Sequence, residues 1–586
     1  MSNALKISLE SLRNEIIGRN TFFETPFGKR LITYADYTAS GKALYFVESY
    51  IIDLLKKYAN SHTEDDYTGK TTTELLHLAE KEIKKSFNAE ENCIIVPAGT
   101  GSTGGINKLM EILGVYFPSS VRKRITEMVI QASVPESITK TEELDLINST
   151  IKENMPVVFI GPYEHHSNDI MWRENLAEVV EIELNYDGCL DLDDLDKKIS
   201  DQKYSRRLKI GSFSAASNVT GLRSNVYEIA RILHKHDAIV CFDFAASGPY
   251  VKIDMNKDDE SYFDAVALSP HKFLGGPGSS GLLLLNKRLY DNTIPPTVAA
   301  GGTVDYVSSS SIDFTPDPEA REKAGTPGII QIIKAALAIK LKDQIGIDNI
   351  ESVEHQYLKH AFDRIKKNPN IEILGNQDPE KRIAIISFLI KQNDQPNKYL
   401  HPKFVTKLLN DLFGIQSRAG CSCAGPYGHR LLTINHEKSE KYRTVINKGY
   451  QGIKPGWTRV NFHYSIPDYE VDYILDTMDF ISQYGHLFLP QYDFNIINGE
   501  WTHKNTFTNQ ITKQNLFDME KIINSSFTKE QLLSEDQRKK IYNEYLSEAK
   551  HIAEKIQSDY ISNFSTLKDP NAEELRFFNF IEKEQS

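Results

Sequence analysis

The run FDAVALSPHKFLGGPGSSGLLLLN (263–286) decides how this chain folds. Two short apolar stretches, FDAVALS and GLLLLN, flank a Ser-Pro-His-Lys step and a loop rich in Gly and Pro. Apolar stretches of this length, bounded by turn residues, read as buried strands. A lysine placed between them sits where its side chain reaches a cleft. Upstream, AIVCFDFA (238–245), LKIGSFS (208–214), EVVEIEL (178–184), PVVFIG (156–161) and CIIVPA (93–98) continue the series. Between them, INKLMEIL (106–113), DLDDLDKKIS (191–200) and VYEIARILHKH (226–236) carry helical spacing. Apolar strands alternating with helices predict an α/β fold, with a mainly parallel sheet covered on both faces.

The pattern changes after Gly301-Gly302. A segment rich in Ser, Asp and Pro (307–318) predicts a long loop. Residues 325–346 predict a strong helix, with Pro327 tolerated near its start. KRIAIISFLI (381–390), a helix at 403–413, GIQSRAG (414–420) and WTRVNFHYS (457–465) predict a smaller α+β domain. Beyond 487, Asn498-Gly499 predicts a hairpin turn, followed by polar helices that read as a solvated packing arm. The expected organisation is an N-terminal segment (1–45) packing on the small domain, a large domain (46–300), a small domain (301–486) and an extension (487–586).

The chain has 586 residues, 40% hydrophobic and 25% charged, ample for a buried core. Its net charge of −12 argues against a chain devoted to nucleic acid. The basic runs KEIKK (81–85) and Arg122-Lys123-Arg124 are short and read as solvated faces. Five cysteines, an odd and small number for this length, favour a reducing compartment without a disulfide framework. The N-terminal MSNALKISLESLRNE lacks a basic region followed by an apolar core, so it does not read as a secretory signal. The longest apolar runs fall far short of the ~18 residues of a membrane span. A soluble cytoplasmic protein, with neither nucleic acid nor membrane as partner, is the expectation.

Six motifs can carry chemistry, and each taken alone also has an ordinary structural explanation. His271 and Lys272 lie in the decisive run. Asp243 ends an apolar strand, where a carboxylate is costly to desolvate without a cationic partner. GTGSTGG (99–105) follows a strand and opens a helix, where free N–H groups and the helix dipole bind phosphate. It is not a P-loop, since no Gly-Lys-Ser/Thr follows. YEHHSN (163–168) offers a flat imidazole to a flat cofactor, or two adjacent histidines pointing opposite ways. SNVTG (217–221) presents Asn218 as a donor to an anionic oxygen. SRAGCSCAGP (417–426) puts Arg418 ahead of Cys423, and a thiolate needs such an electropositive, accessible setting. Cys421, Cys423 and the nearby His429 make a poor zinc site, and no metal is expected.

In order and spacing this set resembles the class V aminotransferase-like family of pyridoxal-phosphate enzymes, and within it the cysteine desulfurases and selenocysteine lyases. The Gly-Cys-X-Cys form of the last loop also resembles the molybdenum-cofactor sulfurases. The resemblance covers about residues 31–482 and not 487–586. It implies fold type I, with a seven-stranded sheet in the large domain, and pyridoxal 5'-phosphate as cofactor. Lys272 is then the Schiff-base lysine. Gly101, Ser102, Thr103, Ser269 and His271 are implied at the cofactor phosphate, Asp243 at the pyridinium nitrogen and Asn218 at the phenolic oxygen. His165 is implied to stack on the ring and to serve in proton transfer. Arg459 is implied to hold the substrate carboxylate with support from Arg418, and Thr38 and Ala39 of YADYTAS (34–40) to border the substrate. Cys423 aligns with the persulfide-forming cysteine. Thr303 of Gly301-Gly302-Thr303 matches a loop that reaches the neighbour's phosphate in a homodimer. A sulfur-acceptor protein is an implied further partner.

Two departures from the family pattern stand out. Ala246 occupies the position of a glutamine that contacts the phenolic oxygen, and Lys323 replaces the glutamate of Arg-X-Glu-X-Gly-Thr-Pro. The stretch 114–155 is also longer than the family needs. Three readings follow: a cysteine desulfurase, L-cysteine to L-alanine with sulfur on Cys423; a class V aminotransferase, epimerase or other amino-acid lyase in which Cys423 is incidental; or a non-catalytic scaffold.

Overall fold

The computed structural model describes residues 8–61, 63, 65–132, 153–505, 518–525 and 528–581. The chain divides into two compact units, Ser40–Glu351 and Ile7–Ala39 with Ser352–Ser586. Most of the extra length in 114–155 (133–152) lies outside the described residues.

The first unit is built on a seven-stranded sheet. Its strands lie in the order Cys93–Pro97, Leu282–Asn286, Ala265–Leu268, Ile239–Asp243, Lys209–Ser214, Val157–Ile160 and Glu178–Glu181. The last five are mutually parallel, and Leu282–Asn286 runs antiparallel to both neighbours. The strands are apolar without alternation because both faces are covered: Leu282 to Leu285 are all fully buried. Each such leucine stabilises the fold by ~1.5–3 kcal/mol relative to exposure.

The boundary falls at 351 rather than at the composition change near 301. The helix Ile329–Ile345 packs along the helix Tyr67–Ser86. The charges around them interlock. Lys323 Nζ contacts both oxygens of Glu80 at 2.8 and 3.0 Å, and Lys84 pairs with Glu319 at 2.7 Å. Lys323 and Glu80 are nearly buried, so the lysine standing in the family's glutamate position has its own partner here.

The second unit centres on a five-stranded antiparallel sheet. Ile371–Ile373, Ile385–Gln392, Trp457–Asn461 and Arg418–Gly420 lie in that order, and Gln395–Tyr399 pairs with the second. The N-terminal segment belongs to this unit, and Thr33–Tyr34 pairs in parallel with Ile415–Gln416. The hairpin Tyr492–Asn495/Glu500–His503 turns at Gly499, in the left-handed conformation that such a turn requires.

The extension is not a solvated arm. The helix Glu535–Gln557, opened by a Ser534/Gln537 capping box, buries Arg538, Tyr542, Tyr545, Ala549 and Ala553. That spacing is one helical face. Hydropathy does not reveal it because the face is made of Arg, Tyr and Ala. No described helix is long and apolar enough to cross a membrane.

Candidate active site

A cavity of about 440 Å³ opens in the first unit, beyond the carboxyl ends of the parallel strands. Gly101, Ser102, Thr103, His165, Asn218, Asp243, Ser269, His271 and Lys272 all line it. Four connections reach it from strand ends. Asp243 is the last residue of its strand, His165 follows Val157–Ile160, Asn218 follows Lys209–Ser214, and Ser269 to Lys272 follow Ala265–Leu268.

One wall is an anion cradle. The helix Ser102–Ile112 starts here with Gly101 as N-cap and no side chain capping it. The Ser102 N–H donates to Ser269 Oγ at 2.8 Å. The backbone is drawn in tightly: a Cβ on Gly104 would lie 2.3 Å from the Ala98 carbonyl oxygen, and one on Gly281 would lie 2.4 Å from that of Gly101. These positions admit only glycine because of close approach. The neighbouring His271 is pushed down to about 4, chiefly by burial and then by the Lys272 charge, so it is neutral at pH 7.

The same cavity holds a buried acid, Asp243. Burial pushes the Asp243 carboxyl up; the Ala245 N–H, donating at 2.8 Å, and the Lys272 charge pull it back. A cavity that combines a helix N-terminus, a lysine and a buried carboxylate suits a ligand with a phosphate at one end and a protonated ring nitrogen at the other. Pyridoxal phosphate is such a ligand, and the donor set fits it.

His165 is held in one orientation. Its Nδ1 accepts the Ser167 N–H at 3.1 Å and lies 2.9 Å from Ser167 Oγ, which in turn contacts Thr103 Oγ1 at 2.7 Å. A neutral ring accepting at Nδ1 carries its proton on Nε2.

Glu164, its chain neighbour, stands behind the cavity against the lining residue Ser214, and hydropathy and motif spacing did not single it out. It is buried and accepts from Gly161 N, Ser214 N, Ser214 Oγ and Asn168 Nδ2 at 2.6–3.0 Å. Burial raises its carboxyl to about 7, against these hydrogen bonds. A carboxyl raised in the folded state contributes stability that is full below its unfolded value near 4.5 and lost as pH rises through about 7. Glu164→Gln is expected to flatten unfolding free energy against pH across that window, by ~3 kcal/mol in all. Denaturant titrations at pH 4.5 and 7.5 check this; parallel wild-type and variant curves would contradict it.

Thr303 is not brought to this cavity. Its hydroxyl is buried and donates to the Ala300 carbonyl at 2.7 Å, closing a local turn. Ala246, in contrast, lines the cavity.

The other expected residues lie in the second unit. Arg418 and Arg459 are register partners on antiparallel strands, and Asp36 bridges them. One Asp36 oxygen accepts from Arg459 Nη2 and the other from Arg418 Nε, each at 3.0 Å. Arg459 is buried and Arg418 half-exposed. Asp36 sits inside YADYTAS, two residues before Thr38, but its two partners are hundreds of residues away in sequence. Thr38 is buried and Ala39 partly so. Cys423 is exposed at the tip of a turn closed by the Ala424 N–H on the Cys421 carbonyl at 3.1 Å. Ser422 and Cys423 have φ of 53° and 56°, the two left-handed centres of a type I′ turn. Non-glycine residues there store of order 1–3 kcal/mol each.

The sequence profile of the family Aminotransferase class-V matches residues 137–471. A probable cysteine desulfurase of Halalkalibacterium halodurans is 33% identical over 273 residues, 46% of this chain and 62% of that protein. One from Pyrococcus abyssi is 33% identical over 338 residues, 56% of this chain and 79% of that one. Among solved structures, an apo cysteine desulfurase from Thermococcus onnurineus NA1 superposes with a TM-score of 0.61 at 23% identity, covering 81% of this chain and 98% of that one. That likeness and the seven-stranded sheet identify fold type I of the pyridoxal-phosphate enzymes. With the profile spanning more than half its length, the chain belongs to the class V aminotransferase family of pyridoxal-phosphate-dependent enzymes.

Proposed function

We propose that the protein is a cysteine desulfurase that converts L-cysteine to L-alanine and captures the sulfur as a persulfide on Cys423. The observation that carries the reading is the cavity that gathers Lys272, Asp243, His165 and an anion cradle, in a chain whose one exposed cysteine tops a strained turn. Pyridoxal phosphate, when bound, supplies an electron sink for negative charge at the substrate α-carbon.

The residues of the chain do the rest. The first turn of the helix Ser102–Ile112, with Ser269 and neutral His271, holds the phosphate. Asp243 would keep a positive charge on the ring nitrogen, and Asn218 would donate to the phenolic oxygen. Lys272 would hold the cofactor covalently, and its Nζ would carry the substrate's α-proton. His165, whose Nδ1 is held by Ser167, would be a second proton carrier. Arg459 takes the substrate carboxylate. The Cys423 thiolate attacks the substrate sulfur: an S–S bond forms, the C–S bond breaks, and its electron pair stays with the carbon skeleton, which becomes alanine after protonation.

This reading has three further parts. The helix Tyr45–Leu55 exposes Phe46 and Tyr50, and the hairpin Val304–Val307/Ile312–Phe314 exposes Tyr306, Val307 and Ile312; these support a homodimer. Five free cysteines support a cytoplasmic location. The exposed Cys423 supports delivery of sulfur to an acceptor protein. A second reading, another lyase or an aminotransferase of the family, is favoured by Ala246, which leaves the phenolic oxygen without the family's glutamine.

The deciding experiment is alanine formation from L-cysteine with a thiol reductant. Alanine equimolar with sulfide is expected. Cys423→Ser should keep the bound-cofactor spectrum and lose transfer to an acceptor by ~10²-fold or more. Transfer at the wild-type rate would remove Cys423 from the reaction, and transamination of a 2-oxo acid without alanine would favour the second reading.

A further inference from the structure

Residues 487–586 lie beyond the family match, which ends at 471. Their central helix, Glu535–Gln557, turns its buried face to the N-terminal segment of the same unit. Tyr545 Oη accepts the Leu31 N–H at 3.0 Å, and the Arg30 guanidinium lies 4.5 Å over the Tyr545 ring. Tyr542 Oη accepts from Thr33 Oγ1 at 3.1 Å and from Arg538 Nη1 at 3.2 Å. Arg538, itself 2% exposed, also donates to Asn20 Oδ1 at 2.9 Å and to Glu470 at 3.1 Å. From Thr33 the chain runs extended. The Thr33 N–H donates to the Gly414 carbonyl and the Ala35 N–H to that of Gln416, and the Asn461 N–H donates to the Ala35 carbonyl. The next residue is Asp36.

The position of Asp36 matters because Arg418 and Arg459 face each other across the ladder. Like charges directly opposite on adjacent strands repel. Asp36 relieves that repulsion and fixes the Arg459 fork by one Nη. The carboxylate bridge therefore depends on a segment held on one side by the sheet and on the other by the C-terminal helix.

We propose that the C-terminal helix is a brace that sets the affinity of the Arg418/Arg459 pair for a carboxylate ligand, with Tyr542 as a positioning residue acting through Thr33 and Asp36. That the ligand is an amino-acid substrate rests on the function proposed above. The brace explains why a polar extension buries two tyrosines and an arginine against residues 19–33 rather than standing in solvent.

The test uses the full-length holoenzyme and two variants that share the loss of the Thr33–Tyr542 hydrogen bond: Thr33→Val, which removes that bond, and Tyr542→Phe, which also removes the hydroxyl's contacts with Arg538 and Glu470. The probe is L-alanine, titrated against the visible absorbance of the bound cofactor. Loss of a buried hydrogen bond raises Kd about tenfold in each variant, while the cofactor spectrum and kcat for cysteine stay within about twofold. Asp36→Asn raises Kd similarly, and adding it to Tyr542→Phe raises Kd no further, because both act through one contact. Unchanged or tighter L-alanine binding in both single variants overturns the brace, as does full additivity with Asp36→Asn. If wild type makes no alanine from cysteine but the variants still weaken L-alanine binding, the desulfurase reading falls and the brace stands. If wild type makes alanine and Kd does not move, the brace alone falls.

Discussion

Lys272→Ala is expected to lower alanine formation by ~10³-fold or more, because in the proposed reaction one side chain both anchors the cofactor and moves the α-proton. The same substitution should let the cofactor leave on dialysis, since the phosphate cradle and Asp243 alone hold it without a covalent bond. The geometry makes the effect local. Lys272 ends a three-residue turn, Pro270–Lys272, whose backbone is pinned by the Gly41 N–H on the His271 carbonyl at 2.9 Å. Those contacts do not involve the lysine side chain, so the fold survives its removal. His271 should regain basicity, because part of its depression comes from the Lys272 charge. Absorbance after dialysis, steady-state alanine formation and an NMR titration of His271 read these three effects. Retention of cofactor together with activity within tenfold of wild type would remove Lys272 from its assigned role.

Asp243→Asn separates stability from function. At neutral pH the buried carboxylate costs the cofactor-free protein free energy. Its raised value means stability that is full below about 3.8 and lost as pH rises through the folded value. The cofactor-free Asn variant should therefore be more stable than cofactor-free wild type at pH 7. With cofactor bound, the order reverses: asparagine cannot hold the positive charge on the ring nitrogen. Turnover should fall ~10²–10³-fold, about 2.7–4 kcal/mol of transition-state stabilisation. Thermal unfolding with and without cofactor, beside alanine formation, checks the pair of effects. A variant less stable in both states and fully active would contradict the role of Asp243.

The sheet and its cavity were legible along the chain because each depends on local rules. Buried strands are short apolar runs, and ligand groups cluster at their carboxyl ends. Asp243, His165, Asn218 and Lys272 each follow such a run within a few residues, so four separate loops could be read as converging on one place. Thr303 is a different case: its motif was read as reaching a neighbouring subunit, and within one chain its hydroxyl closes a local turn on the Ala300 carbonyl. Lys323 could be read only as a departure from a family pattern until its partner Glu80, far away in sequence, came into contact.

What the sequence by itself determined is the α/β architecture, which follows from hydrophobic periodicity, and, through the family resemblance its motifs carry together, the cofactor and the strand-end side chains that line the cavity. Only the tertiary structure decided the rest. It joined the stretch 301–351 to the first unit, set Glu164 among four donors and hung Asp36 between two arginines. It also turned the polar helix Glu535–Gln557 inward. The physical reason is common to all four. Each rests on a polar or charged group buried against partners distant in the chain, and the sign of such a burial depends on the partner and not on the residue.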